Sequence, residues 1–312
     1  MKLAVTIDVE EEGLFSGSYD RYKATVDNVS RLPLLDPVFL EWGIHPTLFV
    51  SYKVAQHKQH HDLILGLKEK WKGEIGAHLH MWNTPPIVKT NYPEPVSSEL
   101  IPREILQEKI QTLLEEIDGM DKKPSSFRMG RFNMGPKLFR LLEQTGIRVD
   151  SSIVPTRSEY GGSPYLSAPT DPYFPDPSEP CTPGSSKILE VPLTILPLVS
   201  GMGPVLERMW DRGKYIRPVI SWSSKYLLSL TAQPVAMGLR RLKVAVKLHA
   251  KRGGRVVTIF FHSSELTPGI SPIHPSERHV DQFLKKLEGF LAWMRNQMDV
   301  ESLTLSELCE NL

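Results

Sequence analysis

Two histidines stand two residues apart in GEIGAHLHMW, residues 73–82, at the end of a short apolar run. On an extended strand, side chains two apart project to the same side, so His78 and His80 are spaced to face one metal ion. Other chemistry-bearing residues recur where apolar runs end. Asp8, Glu10, Glu11 and Glu12 follow or close KLAVTID, Arg128 and Arg131 lie in FRMGRFN, Asp150 follows IRV, Glu190 sits in KILEV, and His262 closes VVTIFFH. Singly, such residues are commonly turn acids, surface ion pairs or packed histidines. Together they supply a base, metal ligands, a charge partner and an acid, which is the set that metal-assisted hydrolysis requires.

Elements that gather strand ends into one place are parallel strands separated by helices, and the sequence alternates in that way. Strand-length apolar runs occur at 2–8, 45–51, 74–80, 124–130, 147–154, 187–196 and 255–262. Pro192 makes the sixth of these short or an edge. Amphipathic segments predict helices over 55–73, 97–117 with Ser98 as a cap, 136–146, much of 204–250, and 276–297, followed by a short closing strand and helical turn. EWGIH and EQTGIR each place glycine and isoleucine between a helix and a strand, as if one joint were used twice. Residues 155–186 are rich in Pro, Gly and Ser and are expected to cover one mouth of the fold. The pattern predicts an α/β chain, one incomplete barrel of about seven parallel strands, each followed by a helix, in a single domain over 1–312.

Composition narrows the function. Lys plus Arg (37) nearly balances Asp plus Glu (36), which argues against nucleic acid as a partner, and 40% hydrophobic residues suffice for a large core. No stretch of about 18 uncharged apolar residues occurs, and MKLAVTIDVEEE is too short an apolar start for a signal peptide; the expectation is a cytoplasmic protein without a membrane span. Cys181 and Cys309 form no zinc or disulfide pattern.

At these motifs the chain resembles the polysaccharide deacetylase family, the NodB-homology or carbohydrate esterase family 4 group. VTIDVEE is similar to its first motif, GEIGAHLHMW to its histidine motif, FRMGRFN to its arginine motif, VDSSIVP to the strand ending in Asp, and FFHSSEL to its last. The order agrees from about residue 2 to 308. The resemblance implies a distorted (β/α)7 barrel that hydrolyses an N-acetyl amide on a sugar with a divalent metal and a water. It implies Asp8 as catalytic base, Glu10 and His78 as metal ligands, Arg128 as the partner of the base, and His262 as general acid. A carboxylate beside a metal and an arginine is favoured as the anion, and a histidine titrates near working pH, so these roles are physically apt.

The chain departs from the family in two places. The second histidine ligand stands four residues after the first in the family, where this chain has Trp82, and His80 is the substitute. The first motif reads Asp8-Val9-Glu10 in place of adjacent aspartates, so either acid is a candidate ligand. Two nitrogens and a carboxylate suit zinc first, and also cobalt, manganese or iron. Arg131, Trp82 and Glu190 are candidate substrate contacts, Tyr160 and Tyr165 candidate sugar platforms, and His57, His60 and His61 read as a solvated helix face. The expected reaction removes an acyl group from an amino sugar or a sugar-containing precursor, nucleotide-linked or lipid-linked. A small non-peptide C–N substrate, as in allantoinase-like relatives, is the alternative, and a homo-oligomer is compatible with the chain. Two rivals stand beside it: a metal-free carbohydrate-binding protein on the same fold, and a glycoside hydrolase using Asp8 and Glu190.

Overall fold

A computed structural model describes residues 1–17, 19–92, 94–158 and 165–312. Seven strands form its main sheet: β1 (Lys2–Val9), β2 (Pro46–Ser51), β3 (Glu74–Leu79), β4 (Ser126–Met129), β5 (Val149–Asp150), β6 (Leu189–Glu190) and β7 (Val256–His262). Their order across the sheet is β7-β1-β2-β3-β4-β5-β6, every pair parallel, and β8 (Glu301–Ser302) pairs with the start of β1. Every residue of β2 is buried and only Lys2 of β1 is not, as expected for β-branched and aromatic strands covered on both faces. Helices Arg103–Met120 and Glu277–Met298 bury stripes at three- and four-residue spacing, Leu106, Ile110, Leu113 and Ile117 in one, Val280, Phe283, Leu287 and Phe290 in the other. The glycines of EWGIH and EQTGIR, Gly43 and Gly146, both adopt left-handed backbone, at φ 58° and 101°, which turns the chain from helix toward strand.

The distorted (β/α)7 barrel is the architecture observed, with local differences. The chain leaves the sheet soon after β5 and β6, so the strands expected over 147–154 and 187–196 each contribute two residues to it. After Pro192, Ile195–Pro197 pairs antiparallel with Ser229–Thr231 in a separate ribbon. Nor is every strand followed directly by a helix: a second ribbon, Pro175–Asp176 with Glu179–Pro183, lies within the Pro-rich stretch between β5 and β6. The gap between β6 and β7 is bridged by Thr194, whose N–H donates to the Thr258 carbonyl at 3.1 Å, and by Gln233, which accepts from the Phe260 N–H at 2.8 Å.

Two predicted helices are interrupted. Pro102 ends a short turn, Ser98–Leu100, capped by Ser97 instead of Ser98, and the long helix starts at Arg103. The segment over 55–73 divides into Tyr52–Gln56 and His61–Trp71. At this break His57 and His61 bond the carbonyls of Lys53 and Ala55, and His60 is buried, so these histidines staple a junction instead of forming a solvated face.

Candidate metal centre and active site

Alternation along the chain and register across the sheet assemble the site. Asp8 pairs with His262 across β1 and β7, His78 pairs with Arg128 across β3 and β4, and Ser51 pairs with His78 across β2 and β3. Glu10 lies two residues past Asp8 and His80 two past His78, so each couple projects to the same side. The Glu10 Oε2 atom is 3.2 Å from Nε2 of His78 and 3.2 Å from Nε2 of His80. One donor atom from each of these three buried residues lies within 4.8 Å of the other two.

Hydrogen bonds on the far sides of both rings aim them. His78 Nδ1 is 3.1 Å from the Arg128 carbonyl and His80 Nδ1 is 2.8 Å from the Glu11 carboxylate. Each Nδ1 is thereby placed to donate, which turns Nε2 toward Glu10, the usual device for orienting an imidazole toward a metal. Glu11 is itself held by Trp82 Nε1 at 2.9 Å, by the Asn83 amide and by the Ser51 hydroxyl at 3.1 Å. Trp82 also stacks on His80, with centroids 4.2 Å apart. Beneath this loop the buried Lys109 donates to the Met81 carbonyl at 3.0 Å and to the Thr84 carbonyl, and burial pushes its pKa down to about 8. Gly130 makes room for His80, since a Cβ there would stand 2.3 Å from His80 Cδ2 and 2.7 Å from the Leu79 carbonyl.

Asp8 belongs to a second constellation. Its Oδ1 accepts from Arg128 at 2.6 Å, while its Oδ2 lies 3.9 Å from His78 Nε2 and 3.8 Å from His262 Nε2. Arg128 is fully buried, donates to the Ser151 carbonyl and hydroxyl at 2.9 Å each, and stacks over the Phe49 ring at 4.4 Å. His262 meets Glu10 Oε1 at 3.9 Å, and on its other side Glu265 accepts the His262 backbone N–H at 3.0 Å with Oε1 3.5 Å from Nδ1.

Charges interlock across this floor. Burial opposes the charge on His80, but Glu11, with the hydrogen bonds His80 donates to Glu10 and Glu11, pushes its pKa up to about 10. Burial likewise opposes charge on His262, and Glu10, Glu265 and Asp8 outweigh it, giving about 9. Burial alone would raise Glu10, yet His262, His78 and His80 hold its carboxyl well below the ordinary range. A carboxylate ringed by three imidazoles, two of them with oriented Nε2 atoms, suits a divalent cation.

A cavity of about 150 Å³ opens onto these groups. Asp8, Glu10, His78, His80 and His262 line it, with Arg131 and Trp82 among the remaining wall residues. Arg131 is exposed and, like Phe132, adopts positive φ (57° and 53°) in the turn after β4. Glu190 does not line the cavity. It is fully buried, accepts from the Ile153 N–H at 3.0 Å and pairs with Asp150 on the adjacent strand. Burial and the Asp150 charge push its pKa well up. Tyr165 is also buried, its hydroxyl donating to the Phe132 carbonyl and accepting from the Met134 N–H at 2.9 Å, and Tyr160 lies outside the described residues. Glu11 and Glu265, which hold the histidines, were visible in the sequence only as further acids beside DVE and FFH; Lys109 carried no signal beyond its place on an amphipathic helix.

Solved structures share this architecture from end to end. A glycoside hydrolase/deacetylase from Parabacteroides distasonis superposes with a TM-score of 0.64 at 14% identity, over 99% of this chain and 70% of that one. A polysaccharide deacetylase from Mycobacterium smegmatis gives 0.58 at 17% identity, over 99% and 90%. The fold is that of the polysaccharide deacetylases. A 4-alpha-glucanotransferase from Thermococcus litoralis superposes as well, with a TM-score of 0.54 at 14% identity, over all of this chain and 40% of that one, so the fold alone does not choose the reaction. No protein-family model matches the sequence, and no curated protein matches it either.

Proposed function

We propose that this protein is a divalent-metal-dependent hydrolase that removes an N-acyl group, acetyl first among them, from an amino sugar or a sugar-containing precursor. One observation carries the reading: Glu10, His78 and His80 converge on the same cavity floor as His262 and Asp8, the latter held from behind by Arg128. Glu10, His78 and His80 would hold the ion, with zinc suited to two nitrogens and a carboxylate. When bound, the metal supplies Lewis-acid polarisation of the amide carbonyl and positive charge for the developing oxyanion.

The remaining steps fall to the chain's own residues. Asp8, fixed by Arg128 at 2.6 Å, takes the proton of the attacking water through its Oδ2. His262 stands 3.8 Å from that oxygen and gives a proton to the departing amine. Arg131 meets the substrate at the cavity rim, while Trp82 keeps His80 in place from behind. Glu190 takes no part in contact, and a two-carboxylate glycosidase built on Asp8 and Glu190 lacks support, because Glu190 lies outside the cavity.

Acetate release from N-acetylated amino sugars, free, nucleotide-linked and lipid-linked, tests this with zinc-, cobalt- and manganese-loaded protein. Asp8→Asn and His262→Ala are expected to keep the metal and lose about 100-fold or more in turnover. Protein that takes up none of these metals, or that cleaves glycosidic bonds unaffected by chelation, contradicts the proposal.

A further inference from the structure

The segment between Ile195–Pro197 and β7 departs from the rest of the chain in charge and in surface. Residues 202–255 carry twelve of the chain's 37 Lys and Arg but two of its 36 Asp and Glu, so a nearly neutral protein is divided into a basic unit and an acidic remainder. Eight of the seventeen large hydrophobic side chains exposed among the described residues fall between Leu198 and Leu227. Solvent-facing apolar residues gathered this way mark an interaction surface.

Helices Met202–Asp211 and Arg217–Tyr226 pack on a small core of their own, Leu166, Leu206 and Ile220. The second helix has apolar residues on both sides. Ile220 and Ser224 are buried, whereas Val219, Trp222 and Tyr226, at three- and four-residue spacing, form an outward stripe exposed by 61%, 55% and 63%. Tyr215 and Leu227 extend the stripe at either end, exposed by 87% and 55%. Arg212, Lys214 and Arg217 are exposed beside it. The basic helix Leu239–Lys251, with no acid along it, is tied to the start of the patch by Arg252, which donates to the Pro197 and Leu198 carbonyls at 2.6 and 2.7 Å.

We propose that this face docks the protein on an anionic lipid bilayer. Aliphatic side chains interleaved with Trp and Tyr and bordered by Lys and Arg match the depth profile of a membrane interface, apolar stems below and cations at the headgroups. Nucleic acid would use the cations and leave the aliphatic residues idle, and a protein interface core is depleted of charge. No helix among the described residues is long and apolar enough to cross a membrane, so the chain lies on the surface at this face. A second cavity, of about 330 Å³, lies between this segment and the chemistry: Lys225 and Thr231 line it from this segment, and Phe15 and Phe260 line both it and the metal cavity. Its mostly apolar wall fits the apolar part of a lipid-borne amino sugar, which rests on the proposed deacylation.

Flotation of the full-length protein with phosphatidylcholine vesicles, with and without phosphatidylglycerol as about a third of the lipid, tests the docking without any turnover. Binding to the anionic vesicles, weakening with salt, is expected. Trp222→Ser combined with Tyr226→Ser, and separately Arg212→Gln with Lys214→Gln, should each lower it by about 10-fold or more with circular dichroism and metal content unchanged. Failure of the parent protein to float at low salt, equal flotation of both variants, equal affinity for a short DNA duplex, or self-association that is lost with Trp222 would overturn the proposal. Because vesicle binding is read apart from acetate release, either result can fail alone.

Discussion

At the scale of single residues, the site depends on how two histidines are aimed. Metal binding must displace the proton that His80 shares with Glu10, since Glu10 and Glu11 hold the His80 pKa at about 10. Metal affinity should therefore rise with pH from 6 to 9, and calorimetry in buffers of different ionisation enthalpy should register proton release; a buffer-independent heat would speak against it. Glu11→Gln keeps the size of the side chain but weakens its hold on His80 Nδ1, and should reduce metal affinity by about 10- to 100-fold, measured by competition with a chelating dye. Gly130→Ala forces a methyl group against His80 and should do likewise, with a stability loss of about 1–3 kcal/mol in chemical denaturation. Asp8, His78, Arg128 and His262 were legible because each closes a strand-like run. His80 was legible through strand parity alone, and the structure adds why it is usable: Trp82, where a second histidine is absent, stacks on it and fixes Glu11. Lys109 and Gly130 were not legible, because their roles arise from contacts between segments far apart in sequence.

At the scale of elements, the runs around β1, β2, β3 and β7 were read nearly to the residue, since buried strands keep continuous apolar sequence. The short β5 and β6 were overread: apolar residues continue at 153–154 and 191–196 because the chain stays buried after leaving the sheet. Their buried carboxyls nonetheless bear on stability. Asp150 and Glu190 are buried side by side on adjacent strands, and Glu190 has its pKa raised by burial and by Asp150 above the usual 4.5. A raised carboxyl pKa contributes stability that is complete below about pH 4.5 and is lost as pH climbs through the folded value. Glu190→Gln should thus gain stability relative to the parent as pH rises from 5 to 9, seen as a growing difference in denaturation midpoint; a constant or shrinking difference would contradict the raised Glu190 pKa.

At the scale of the whole molecule, the near-zero net charge hid the polarity between a basic 202–255 unit and the acidic remainder that carries the Glu10, Glu11 and Glu12 run. The parallel barrel sets the strand ends that carry Asp8, Glu10, His78, His80 and His262 on one rim, which is why these residues meet within one small cavity. A divalent ion at that meeting point is the central claim, and anomalous diffraction from crystals grown with zinc tests it most directly. The ion is expected about 2.0–2.2 Å from Nε2 of His78, Nε2 of His80 and a Glu10 oxygen, with Asp8 still on Arg128. An ion bound by Asp8 with His80 turned away, or no ion on these residues at saturating zinc, would contradict it.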